Sequence, residues 1–191
     1  MIMIRALRNI QRRANKTRLP SIIDDEEGTA LIEFAITLPV LLALYLGCVQ
    51  ICDLVSVYRK STTTSRTIAD LTSQQTQVSE STLQSILDAS SQVMAPYSAS
   101  KLRMVVTQVT VSNTGVATVD WSSKSGPGSV ADTQGAVYTL PAGVAVNGTS
   151  LIVSKVNYDY DADIGGVLRT NVPLGDTIYM YPRSIVTIDK V

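Results

Sequence analysis

Thr29 to Ile51 reads TALIEFAITLPVLLALYLGCVQI, 23 residues with a single charge, Glu33. About 20 apolar residues are enough to cross the hydrocarbon of a bilayer as one helix. The stretch is therefore expected to be a transmembrane helix, and the rest of the chain must be arranged around it. Glu33 is the costly residue. A carboxylate in a span costs about 2.5–3.5 kcal/mol on insertion scales, so its presence needs a function. It stands five residues after Gly28, at the end of the acidic run Asp24-Asp25-Glu26-Glu27.

A cleaved secretory signal is the competing explanation. Its apolar part is about 7–15 residues and follows the positive charges directly. Here the run is longer, and the acidic stretch separates it from Arg5, Arg8, Arg12, Arg13, Lys16 and Arg18. A retained anchor fits better. Basic residues beside a span stay cytoplasmic, so the N-terminus is expected inside and Asp53 onward outside. A nucleic-acid arm is the rival use for the basic cluster. Residues 29–191 hold 10 basic and 12 acidic residues, which gives no nucleic-acid surface beyond that arm.

The expected division is a leader at 1–28, a transmembrane helix at 29–52, a helical stalk at 53–95 and a β-rich extracytoplasmic domain at 96–191. Leu54, Val57, Tyr58, Ile68 and Leu71 recur at helical spacing and extend the helix to about Gln75. Pro39 predicts a kink in the span, with a hinge as the alternative. Gly47 and Cys48 are small enough to admit a partner helix. Leu83, Ile86, Leu87 and Val93 predict a second helix from about Ser79 to Met94, just before Pro96.

The period then changes from helical to alternating. KLRMVVTQVTVS (101–112) and GVATVDWS (115–122) flank Asn113-Thr114-Gly115 and predict a β-hairpin. Residues 123–136 are loop by composition. SLIVSKVNYDY (150–160) predicts a third strand. Residues 161–176, with Gly165-Gly166 and Pro173, are expected to be loop. TIYMYPRSIVTI (177–188) predicts one or two strands broken at Pro182. The fold class expected is α+β: a long N-terminal transmembrane helix with a helical extension, then a mostly antiparallel sheet with helices on one face.

Catalytic chemistry has little to build on. The chain has no histidine, which removes the commonest general base and metal ligand. No G-x-S-x-G and no phosphate-binding glycine loop occur. Cys48 and Cys52 share a helical face inside the apolar run, and are better explained as small hydrophobes than as a redox pair. Asp159, Asp161 and Asp163 open like an EF-hand loop. Position six is then Ile164 instead of glycine, and position twelve is Thr170 instead of glutamate. These aspartates are weak metal candidates; a solvated acidic loop is the plainer explanation. Trp121 and the tyrosines at 138, 158, 160, 179 and 181 suggest either cross-strand packing or a stacking surface for sugars or bases, and packing is the commoner use. No cofactor is expected.

Gly28, Ala30-Leu31-Ile32-Glu33-Phe34-Ala35 and Leu38-Pro39-Val40-Leu41-Leu42 with Gly47 resemble the TadE/TadG-like pilus-assembly family. Arg66-Thr67-Ile68-Ala69-Asp70-Leu71 and, more loosely, Tyr179-x-Tyr181-Pro182-Arg183 are similar to the same group. Related pilins favour tyrosine after the glutamate, where this chain has Phe34. The resemblance implies a Tad-type (type IVb-like) pseudopilin or minor pilin in the bacterial inner membrane. It implies cleavage by a prepilin peptidase between Gly28 and Thr29. It also implies assembly with other pilins and pilus-assembly proteins through Glu33 and Phe34, without enzymatic activity and without nucleic acid. The alternative is an uncleaved single-pass membrane protein whose extracytoplasmic domain binds a ligand or is an enzyme.

Overall fold

The computed structural model describes residues 26–164, 168–183 and 187–191. The basic cluster and nearly all of the 1–28 leader lie outside them. The first element, α1 (Glu26–Ser73), is one helix of 48 residues and runs through Pro39 without interruption. The chain divides into two compact units, Met1–Leu46 and Gly47–Val191. Helix α1 contributes to both.

In the first unit every side chain from Thr29 to Leu46 is exposed. Leu31, Ile36 and Tyr45 are 71, 69 and 67% exposed. Nothing in the protein covers this apolar sleeve, among the described residues.

In the second unit, α1 buries one stripe: Val57, Ser61, Thr64, Ser65, Ile68, Ala69 and Thr72. These spacings of three and four keep one helical face toward the core. A short strand β1 (Gln77–Val78) follows, then α2 (Glu80–Ser91). Ser79 caps α2, its hydroxyl accepting from the Thr82 N–H at 3.2 Å. Leu83, Ile86 and Leu87 face inward, and a 3-10 turn, Gln92–Met94, ends the helical stretch before Pro96. The expected second helix is present at its expected place.

The main sheet holds β2 (Leu102–Val111), β3 (Ala117–Ser125), β4 (Ser150–Ile164) and β5 (Leu168–Met180), in the order β3-β2-β4-β5, all antiparallel. The β2–β3 hairpin turns at Asn113-Thr114-Gly115, where Gly115 has φ +82°. Asp120 is the extra residue of a bulge: Gln108 pairs Trp121, and Val109 pairs Val119. Gly126 ends β3 at φ +96°, and a Cβ there would lie 1.9 Å from the Leu102 carbonyl oxygen, so only glycine fits.

Alternation gives the sheet two faces. One carries Leu102, Met104, Val106, Trp121, Ile152, Val156, Tyr158 and Tyr160, which share a core with Val57, Ile68, Leu83 and Leu87 of the helices. Both helices therefore lie on one face, as expected for α+β. The other face packs Val109, Val111, Leu151 and Val153 under Tyr138, Leu140 and Val144 of the segment after β3. At the C-terminus, β6 (Asp189–Lys190) pairs in parallel with β1. Ile188 is fully buried, its N–H donating to Gln108 and its carbonyl accepting from the Trp121 indole, each at 2.9 Å.

One expectation is corrected. Residues 161–176, expected as loop, are mostly strand: β4 continues to Ile164, and β5 begins at Leu168. Pro173 is tolerated because β5 is an edge strand, where a missing N–H costs no ladder bond. Asp161 is tolerated because it projects from the sheet face turned away from the helices, where Lys101 donates to it. Strand β5 ends at Met180, so Pro182 lies beyond it.

Candidate functional site

Gly28 and Thr29 stand in the first turns of α1, and Glu33 and Phe34 follow one turn later. Glu33 is exposed and Phe34 is 62% exposed. The Thr37 hydroxyl donates to the Glu33 backbone carbonyl at 2.8 Å. No side chain among the described residues pairs with the Glu33 carboxylate. This helix is long and apolar enough to cross a membrane, with mean hydropathy 2.1 over its best window and none of that window buried by protein. A carboxylate in such a sleeve is open to a cation from outside the chain.

The second unit grips α1 just past the apolar run. Asp53 accepts from the Tyr97 hydroxyl at 2.6 Å through one oxygen and from the Tyr160 hydroxyl at 2.7 Å through the other. Tyr160 also reaches the Gln50 side-chain oxygen at 2.9 Å. Burial, and then the Asp53 carboxylate, push the Tyr160 phenol up to about 12. Tyr97 is raised first by its bond to Asp53 and then by burial. Both tyrosines therefore stay neutral donors at any physiological pH, and fix where the helix leaves the domain. Sequence reasoning missed this cluster. Its one signal was Asp53, an acid placed directly after the apolar run.

The Asp159–Asp163 series is spread along β4, not gathered in a loop. Asp159 accepts from Arg103 at 2.6 Å. Asp161 accepts from Lys101 at 2.6 Å and from Asn171 at 3.3 Å. A strand sets alternate side chains about 6.5–7 Å apart, which is not the convergence a calcium loop provides. Among the described residues, no three acids, cysteines or histidines are grouped to hold a metal.

Three of the aromatic residues serve packing, while Tyr181 is exposed. Trp121, Tyr158 and Tyr160 are buried, and Tyr138 lies 4.8 Å from the Lys155 ammonium that Asp132 also holds. Two further stretches noted in the sequence meet across the fold. The Arg183 guanidinium donates to Asp70, and the Arg183 N–H donates to the Ser73 carbonyl at 2.9 Å.

No curated protein and no solved structure matches this chain. The family model described as TadE-like protein matches residues 28–70, a segment holding Gly28, Glu33, Phe34 and Asp53 but neither tyrosine that binds Asp53. Over those residues, less than a quarter of the chain, the sequence is similar to that of TadE-like proteins, a family associated with Tad pilus assembly.

Proposed function

We propose that this protein is a pseudopilin or minor pilin: a membrane-anchored structural subunit of a Tad-type (type IVb-like) pilus or secretion machine. Residues 1–28 are a cytoplasmic leader, 29–52 span the bacterial inner membrane, and the remainder lies outside the cytoplasm. The observation that carries this reading is the Gly28–Glu33 spacing at the mouth of an apolar helix that nothing among the described residues covers.

A prepilin peptidase cuts the Gly28–Thr29 bond. Glycine suits the cut because it lets an enzyme approach the backbone closely. The new Thr29 amine is a cation, and Glu33 of a neighbouring subunit is the carboxylate that pairs with it inside the apolar layer. Phe34 and its apolar neighbours supply the contact around that pair. The extracytoplasmic domain packs and interacts, and performs no chemistry.

Sequencing of the mature N-terminus, with and without the pilus peptidase, tests the cut: it should begin at Thr29 only when the peptidase is present. Gly28→Val should accumulate as precursor. Glu33→Ala should be cleaved and inserted, yet fail to co-purify with its pilus partners. Normal assembly of Glu33→Ala would remove the pairing step from this proposal.

A further inference from the structure

The ion pair between Asp70 and Arg183 marks one end of a cleft of about 610 Å³ between the outer flank of α1 and the edge of the sheet. Thr63, Arg66, Thr67 and Leu71 of the helix line one side; Ile178 and Met180 of β5 line the other. Helix α1 is seated beside β4, where the Ser65 hydroxyl donates to the Ser154 carbonyl at 2.9 Å. The sheet stops one strand later, at β5, and the helix flank next to it is left as a step.

That edge is open. Strand β5 pairs with β4, and no other backbone hydrogen bond reaches it from the described residues. The Thr177 N–H donates to the adjoining Asp176 carboxylate at 2.9 Å, so it points away from β4. In an antiparallel ladder the N–H and C=O of one residue point to the same side, and the side alternates. The outward residues are therefore 173, 175, 177 and 179. Pro173 has no N–H to offer there, and Asp176 covers the N–H of Thr177. Both features blunt an edge against indiscriminate pairing. Gly175, Thr177 and Tyr179 keep outward carbonyls, and Gly175 and Tyr179 keep outward amides. Arg66 is exposed beside them and has no carboxylate partner among the described residues; Asp70, one turn on, is engaged by Arg183.

We propose that this step is a strand-addition site: an extended segment of another protein pairs with the outer edge of β5, lays apolar side chains over Ile178 and Met180, and sets a carboxylate on Arg66. Main-chain bonds give such a site its affinity, and alternate side chains give its specificity. The acidic preference follows from Arg66, a charge in the cleft that lacks an opposite among the described residues. This goes beyond assembly through α1 and needs neither cleavage nor Glu33.

The test uses the full chain in lipid nanodiscs and a short blocked peptide of alternating valine and threonine with a central glutamate. Hydrogen exchange at residues 175–180 should slow about tenfold at saturating peptide, with little change in α2. A peptide with lysine in place of glutamate should bind about tenfold more weakly, and Arg66→Glu should reverse that preference. A peptide N-methylated along one edge should not bind. Arg66 lies outside the core, so this variant folds and its reversal is readable. Any of four results overturns the proposal: no protection at millimolar peptide, binding that leaves β5 exchange unchanged, equal binding of the acidic and basic peptides, or concentration-dependent protection of β5 without peptide, which would assign the edge to a second copy of this chain.

Discussion

The two parts of α1 invert the usual rule of burial. Upstream of Gly47, leucine, isoleucine and phenylalanine are exposed all around the helix. Downstream, serines and threonines are fully buried beside Val57, Ile68 and Ala69: Ser61, Thr64, Ser65, Thr72 and Ser73 have no exposure at all. The hydroxyls of Ser61, Thr64 and Thr72 are buried without a partner among the described residues, an arrangement that costs free energy. Small side chains are kept at that seam because they let helix and sheet approach closely, and the close approach offsets the lost hydrogen bonds through dispersion contacts. The upstream part has the opposite need. Its apolar surface is complete only in a medium or a bundle that supplies the missing contacts. One helix is thus written for two solvents, and hydropathy alone would have buried the wrong part.

The largest effect expected from this contrast is at Leu41→Arg. The substitution puts a charge in the exposed part and should cost about 2.5–3.5 kcal/mol of membrane insertion, on the order of a hundredfold in partitioning. Thermal unfolding of the packed unit should not move. Carbonate extraction of membranes, set beside a melting curve, checks both halves. A shifted melting temperature with intact insertion would break the division of labour.

Ser65→Leu is the converse. Ser65 is fully buried, and its hydroxyl donates to the Ser154 carbonyl at 2.9 Å. A leucine there raises hydropathy, and by composition should help. By packing it should destabilise the domain by about 1–3 kcal/mol, because the seam has no room. Chemical unfolding of the purified protein decides between them. A neutral or stabilising outcome would mean that the serine stripe reflects composition, not fit.

How much of this was legible follows the same line. Helix α1 was legible through Glu33 and the apolar run, α2 through its stripe and Pro96 past its end, and the β2–β3 hairpin through Asn113-Thr114-Gly115. These are local signals. The end of β5, from Thr177, was legible, but its start was hidden because Pro173 argues against a strand unless its edge position is known. The Gly28–Glu33 spacing could be seen in one line of sequence. The Asp53 grip could not: its partners lie 44 and 107 positions away. Asp70 and Arg183 were both noted, yet their pairing across 113 positions was not.

The grip sits where the two parts of α1 meet, and Tyr160→Phe sharpens the comparison there. The change removes one hydroxyl bonded to both Asp53 and Gln50 and leaves the ring in place. Asp53 keeps Tyr97. The expected loss is about 1–2 kcal/mol, in domain stability and not in insertion. The wild-type grip should also fail in alkali. A phenol raised from 10.0 to about 12 holds its proton in the folded state while the unfolded chain loses it, so stability is complete below about pH 10 and falls as pH rises toward 12. Tyr160→Phe should flatten that alkaline fall. An unchanged fall would put the alkaline sensitivity elsewhere.

The smallest effect lies at the far end of the packed unit. Glu80 accepts from Lys190 at 2.6 Å, from the Ser123 hydroxyl at 2.6 Å and from the Gln84 amide at 2.9 Å. The Lys190 bond first, then Ser123 and Gln84, hold its carboxyl at about 2, below the ordinary 4.5. A depressed folded value contributes stability that is present above pH 4.5 and is lost as pH falls from there toward 2. The Glu80 side chain is 54% exposed, so water and salt screen most of the attraction and the gain is small. Glu80→Gln cannot titrate. Its unfolding midpoint should lie slightly below the wild type at about pH 6 and converge with it near pH 2. The gap at pH 6 should also narrow in about 1 M salt. Other carboxylates titrate in both proteins and cancel in the difference. A gap that stays constant across the acid range would show that Lys190 binds α2 through packing and not through charge. The C-terminal strand would then resemble the serine seam, held by fit alone.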